Sequence, residues 1–298
     1  MTTTPLRTAV VIGCGITGTS VALALTGAGV EVALIDRDPK AAAEAAALGA
    51  GTPWTPGRPP ADLVVVATPP SAVVDVLYTA QARALGHVYT DTAGTKDIIS
   101  ADAELRGCDL KGYVPGHPLA GLDAPGRAAA GPGRFTGRPW VLCPYETTPD
   151  RALETVAALV ELCGAVRRDM TPEAHDRAVA VLSHLPYLVA AVLAAGLAEV
   201  GPELLALGGD ELAAVVAAAG ADPVLGGDLL TQNAGPVADA VGRAVGELGA
   251  AARTLHEGAD TAPVELGLLL ERGRQGHAAL AQTCELRTPQ DARTGGRV

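Results

Sequence analysis

Over the first 170 positions the apolar residues fall into short runs separated by glycine, proline and polar turns, and most runs lead into a longer stretch with helical spacing. Arg7–Ile12 is the first run. It enters Gly13-Cys14-Gly15-Ile16-Thr17-Gly18, continues as a helical stretch over 19–27, and is answered by a second run, Glu31–Ile35, that ends at Asp36. Asp62–Ala67 is a third β-like run, closed by Pro69-Pro70 before a helix predicted over 71–85. Val88–Thr90, Gly112–Pro115 and Pro139–Cys143 are further strand candidates. Strands alternating with helices predict an α/β fold with a mainly parallel, doubly wound sheet through about residue 145.

The pattern then changes. Pro144–Asp150 reads as a connection, and from Arg151 the chain becomes rich in Ala, Leu and Val at helical spacing, with one more β-like stretch, Gly164–Asp169, expected to finish the first sheet. These shifts place a first domain at 1–170 and an all-α domain at 171–286, its helices punctuated at Gly201-Pro202, Gly208-Gly209, Gly220 and Pro236. The tail 287–298 is predicted to be disordered. Ala178–Val200 is interrupted by His184, Pro186 and Glu199, so it reads as a buried core helix rather than a membrane span.

Composition narrows the classes of function. With 48% hydrophobic residues in 298 and only 3% aromatic, Ala, Val and Leu must fill the cores. A formal net charge of −11 without a basic stripe argues against a nucleic-acid binder. Cys14, Cys108, Cys143, Cys163 and Cys284 are scattered, odd in number and without metal-like spacing, which predicts free thiols in a reducing cytoplasm and no metal site. The first eight residues lack the sections of a signal peptide.

The glycine motif gains its meaning from context, because it follows a strand, opens a helix and is answered by an acidic residue ending the next strand. Gly13 permits the tight turn, Gly15 lets a pyrophosphate approach the backbone near Ile16, and Gly18 lets the helix pack on the sheet, as in a Rossmann domain. Asp36 suits the adenosine ribose of NAD. The adjacent Arg37 could instead hold a 2′-phosphate and so leaves NADP open. Thr68 and Pro69, after the third strand, fall where such folds meet the nicotinamide half.

Gly116-His117-Pro118-Leu119-Ala120-Gly121 is the leading candidate for chemistry. Pro118 biases His117 toward extended geometry, and the flanking glycines suggest a stiff turn that aims the imidazole. A histidine titrating near 6.5 can take the proton as an alcohol is oxidised; a loop histidine that merely caps a turn is the alternative.

The glycine motif, Asp91-Thr92-Ala93-Gly94-Thr95-Lys96, Gly116–Gly121, Gly137-Arg138-Pro139-Trp140-Val141-Leu142, His175-Asp176-Arg177-Ala178-Val179-Ala180 with Ser183-His184-Leu185-Pro186, and Asp222-Pro223 through Asp228-Leu229 to Asn233 together resemble the prephenate dehydrogenase (TyrA) family, particularly its actinobacterial branch. The resemblance implies a Rossmann domain followed by a helical dimerisation domain, hence a homodimer. It also implies NAD-dependent oxidation of the C4 hydroxyl of a cyclohexadienyl acid, with loss of the ring carboxylate as carbon dioxide. By it, His117 is the proton acceptor, and Gly94, Thr95, Lys96, Asp176, His184 and Tyr187 lie at the substrate. For Asp176 and His184 a buried polar link between helices is the competing reading.

The departures from the family pattern are concentrated at the substrate. Gly94 stands where the family has a serine that shares the substrate hydroxyl, Ala217 where an arginine pairs with a carboxylate, Gly226 where a tryptophan stands, and Tyr187 where the motif has a second histidine. Arg127, Arg134 and Arg138 are candidates for a replacement cation. The leading reading is a specialised NAD-dependent dehydrogenase of a prephenate-like ring. Two others remain open: a catalytically impaired metabolite-binding relative, and a β-hydroxyacid or imine reductase of similar architecture.

Overall fold

The computed structural model of the chain describes residues 6–120, 129–257 and 262–285. It divides into two compact units, the first running to Ala238 and the second beginning at Asp239. The predicted tail 287–298, Gly121 and Arg127 lie outside the described residues.

Six parallel strands make the main sheet of the first unit: β1 (Thr8–Ile12), β2 (Glu31–Ile35), β3 (Thr52–Pro53), β4 (Ala61–Val66), β5 (Gly86–Asp91) and β6 (Tyr113–Val114), in the order β3-β2-β1-β4-β5-β6. The strand runs are apolar without alternation because both faces are covered. Ala9 and Val11 pack with α1 (Ile16–Gly27), α2 (Pro39–Ala47) and α5 (Asp150–Leu162), whereas Val10 and Ile12 pack with α3 (Val73–Ala82) and α4 (Asp97–Arg106). The strand order reverses between β1 and β4, which opens the crevice at their carboxyl ends where such sheets bind ligands.

A second, three-stranded sheet holds β7 (Gly116–Pro118), β8 (Pro139–Leu142) and β9 (Val166–Asp169), with β7 antiparallel and β9 parallel to β8. Two expectations are corrected here. The stretch over 164–169 does not finish the main sheet, since Val166 N donates to Arg138 O and the strand pairs with β8. The histidine segment is not a free turn either: Gly116, His117 and Pro118 pair with Leu142, Val141 and Trp140. Pro118 is tolerated because β7 is an edge strand. Gly116 is required for closeness rather than for an unusual φ, as a Cβ there would stand 3.0 Å from both Asp91 O and Thr90 Oγ1.

Beyond β9, one continuous helix of 26 residues joins α6 (Pro172–Val179), a π-helical turn (Ala180–His184) and α7 (Leu185–Leu197). By length and composition it could cross a membrane. The expected buried core helix is corrected, because Leu182 and Val192 are 74% and 64% exposed and the single chain leaves this face open. Short helices α8 (Pro202–Leu205), α9 (Gly209–Val216) and α10 (Pro223–Gln232) follow. The expected break at Pro236 is instead the first turn of α11 (Ala234–Glu257), where a proline removes no helical hydrogen bond. Within the second unit α11 is tied to α12 (Ala262–Glu285) by Arg272 to Glu247 and Thr254 to Glu265, both at 2.7 Å.

The turn after β1 is the tightest local constraint. Gly13 has φ +102° and a Cβ there would meet Ala67 O at 2.3 Å, while a Cβ on Gly18 would lie 1.9 Å from Gly13 O. Gly15 faces open space. Gly18→Ala is therefore expected to lower the unfolding free energy by about 3 kcal/mol. Gly15→Ala, which only weakens a helix N-cap, should cost less than about 1 kcal/mol in the same urea titration.

Candidate active site

The carboxyl edge of the main sheet runs without a gap from the glycine turn to His117. Gly13 N donates to Ile35 O and abuts Ala67; Thr92 N donates to Val66 O; and a Cβ on Gly94 would stand 3.8 Å from both Cε1 and Nε2 of His117. The Cε1–Nε2 edge of that half-buried imidazole thus faces Gly94.

Beneath the edge lies Asp91, the last residue of β5 and fully buried. Its Oδ1 accepts from Ala93 N at 2.8 Å and from Lys96 Nζ, and its Oδ2 from Tyr113 Oη at 2.6 Å and Gly116 N at 3.3 Å. Burial and the Asp91 carboxylate hold the Tyr113 phenol well above its usual range, so it remains a donor.

α6 supplies the other side. Thr171 caps it by accepting from Ala174 N at 3.2 Å, and Pro172 opens it, which fixes the helix start and so places His175 and Asp176 inward. His117 Nδ1 lies 2.9 Å from His175 Nε2, with the rings edge to face at 5.1 Å. His175 Nδ1 lies 2.7 Å from Asp176 Oδ1. The Asp176 carboxylate also accepts from Lys96 N at 2.8 Å and Asp97 N at 2.9 Å. Asn233 Nδ2 donates to Asp176 O at 2.9 Å and sits 3.1 Å from His184 Nδ1. Burial, with smaller repulsion from His175, Lys96 and His184, holds His117 well below the usual histidine range. Burial pushes His184 down to about 4 despite the nearby Asp176 charge.

Several residues expected at the substrate are bonded within the chain. Lys96 is fully buried with its ammonium on Asp91, and Asp176 and His184 are buried and both bonded to Asn233. Thr95 is fully buried too, its hydroxyl without a partner among the described residues. At the departed positions the space is refilled. A Cβ on Gly94 would lie 2.5 Å from Leu229 Cδ1, and one on Gly226 would lie 2.2 Å from Tyr187 Oη. Leu229 therefore packs over Gly94, and Tyr187 over Gly226. Ala217 is exposed in a short 3₁₀ turn, and Arg138 donates to Ala120 O at the end of the histidine segment. His175, Leu229 and Asn233 carry no assigned role in the sequence pattern; for His175 the adjacent acidic residue, in a capped helix start, is the signal that marks it.

The other end of the edge fits a dinucleotide. Gly15 leaves room at the N-terminus of α1, and Asp36 Oδ2 and Oδ1 accept from Cys14 N at 2.7 Å and Asp38 N at 2.9 Å, leaving lone pairs on both oxygens for ribose hydroxyls. Thr68, just past β4, has a buried hydroxyl with no partner among the described residues, as a residue awaiting a polar ligand would. Arg37 and Pro69 are exposed at the same rim.

Residues 21–168 match the family model for the nucleotide-binding domain of prephenate dehydrogenase, and residues 171–265 match that for its dimerization domain. The chain is 38% identical over 256 residues to the probable prephenate dehydrogenase NovF of Streptomyces niveus, covering 86% of this chain and 70% of that protein. It is 30% identical over 194 residues to a prephenate dehydrogenase of Bacillus subtilis, covering 62% of this chain and about half, 52%, of that longer protein. A crystal structure of prephenate dehydrogenase from Aquifex aeolicus, in complex with hydroxyphenyl propionate and NAD+, shares the fold with a TM-score of 0.80 at 24% identity, over 92% of this chain and 99% of that one. Matches over both domains, with the 38% identity to NovF, make this chain a member of the prephenate dehydrogenase family.

Proposed function

We propose that the chain is an NAD-dependent dehydrogenase that oxidises the C4 hydroxyl, or the corresponding amine, of a prephenate-like cyclohexadienyl compound. The observation that carries this is the unbroken edge from the Gly13 turn to the Nε2 side of His117. Gly13, Gly15, Ile16 and Gly18 present the α1 N-terminus to the pyrophosphate, Asp36 takes the ribose, and Thr68 and Pro69 line the approach of the nicotinamide. NAD, when bound, supplies a hydride acceptor. His117 Nε2 takes the hydroxyl proton as the C–H bond breaks, and departure of the ring carboxylate as carbon dioxide leaves an aromatic product.

A domain boundary near residue 170 is supported by the division between the two family-model matches. Homodimerisation is supported by apolar residues left exposed along the long helix and beyond it, among them Leu182, Val192, Leu204, Leu207 and Val224. Buried Cys108, Cys143 and Cys163, none of them in a disulfide among the described residues, suit a reducing cytoplasm. The site departs from the family pattern in what could hold a substrate carboxylate, since Ala217 offers no charge; Arg134 and Arg138, the latter giving one N–H to Ala120 O, are candidate replacements among the described residues.

NADH formation with prephenate, arogenate, an aminodeoxyprephenate and a decarboxylated ring alcohol tests the activity and ranks these substrates. His117→Asn should lower kcat on the order of a hundred- to ten-thousand-fold while leaving NAD affinity unchanged. Tight NAD binding with no turnover of any of the four would favour a metabolite-binding role instead. Because the base must be neutral and its folded-state titration lies well below 6.5, kcat/KM is expected to stay level as pH falls through 6.5 and to drop only at more acid values. An acid limb at or above 6.5 would contradict the assignment. Light scattering should give about twice the 29.9 kDa chain mass.

A further inference from the structure

We infer that His175 is a positioning residue that, backed by Asp176, keeps the ring proton of His117 on Nδ1 and so leaves Nε2 bare toward the substrate. The inference rests on His117 acting as the base, and it adds the residue that makes one of its two nitrogens the reactive one.

Asp176, His175 and His117 form a chain of donors and acceptors whose buried end is Asp176. Asp176 takes backbone hydrogen bonds on both oxygens, from Lys96 N and Asp97 N, so each oxygen stands as an acceptor. A carboxylate only accepts, so the 2.7 Å contact requires the hydrogen to sit on His175 Nδ1. A neutral His175 then has a lone pair at Nε2. His117 Nδ1 is 2.9 Å from that lone pair and must supply the hydrogen between them. With its hydrogen committed there, His117 has its remaining lone pair on Nε2, the nitrogen on the side facing Gly94. His175 and Asp176 are both buried and neither faces the crevice, so they act only through His117.

Two contacts hold the chain at a fixed length. Gly116, next to His117, donates to Asp91, and Lys96 joins Asp91 by its ammonium to Asp176 by its backbone N–H. The two histidines thus stand on separate elements connected by one lysine.

The test is two-bond ¹H–¹⁵N correlation of the histidine rings in the full-length, ¹⁵N-labelled protein at pH 8, with His117 assigned by its loss in His117→Asn. The wild type should show His117 protonated at Nδ1 and bare at Nε2. The opposite tautomer would overturn the inference. His175→Leu removes the acceptor and should lose the Nδ1 preference and reduce kcat by about 10- to 100-fold, with KM for NAD unchanged. His175→Gln, whose carbonyl can accept in place of Nε2, should recover most of the rate. Unchanged tautomer and kcat in His175→Leu would also overturn the inference; should that variant not fold, the wild-type spectrum and His175→Gln decide. The expected tautomer without NADH from any substrate would refute the dehydrogenase reading alone, whereas turnover with the opposite tautomer would refute the positioning role alone.

Discussion

Asp91 ends the fifth strand with a carboxylate that has no access to solvent, and four donors from three segments converge on it. A buried charge of this kind is tolerable only when its lone pairs are filled, and removal of one partner from such a pair typically costs about 3–5 kcal/mol. The requirement fixes what surrounds it. Ala93 must turn back at the strand end, Tyr113 must bring β6 alongside, Gly116 must approach closely enough to start β7, and Lys96 must point inward. Lys96 then offers its backbone N–H to Asp176, which passes the constraint from the sheet to the helix bearing the second histidine. The distance between His117 and His175 is set by these anchors rather than by either histidine.

Sequence patterning located the main sheet well, because a strand covered on both faces leaves an uninterrupted apolar run with turn residues at each end. Five of its six strands and the glycine turn were legible in this way. The two-residue β3 was not, since Thr52 and Pro53 are too few to show a period. The second sheet was misread for a different reason. Strands β7, β8 and β9 are short, and nothing local distinguishes pairing with each other from pairing with the larger sheet; only their register, set by contacts far apart in sequence, decides it.

At the site the resemblance named residues but not the directions in which they face. Lys96, Asp176 and His184 carry groups that commonly meet ligands, yet each is buried with a partner within the protein. Burial is a tertiary property that residue type does not reveal. The changed positions are clearer in space than in sequence: Gly94 lies under Leu229 and Gly226 under Tyr187, so a neighbouring side chain occupies the volume that a side chain at either glycine would need. Their combined effect is an apolar side chain beside the histidine where a hydroxyl would stand in relatives.

The π turn over Ala180–His184 has a geometric consequence for the same network. Nine residues separate His175 from His184, and at about 100° per residue an uninterrupted α-helix would set them on opposite sides. A single π bulge absorbs one residue and brings the angle to roughly 80°, near enough for both imidazoles to be buried against Asn233 and Asp176. Pro186, whose missing N–H cannot bond back to Leu182, lies immediately past the bulge. The widened turn acts as a phase shifter: it rotates everything downstream on α7 relative to α6, so the orientation of the exposed apolar face is tied to the orientation of the histidines within.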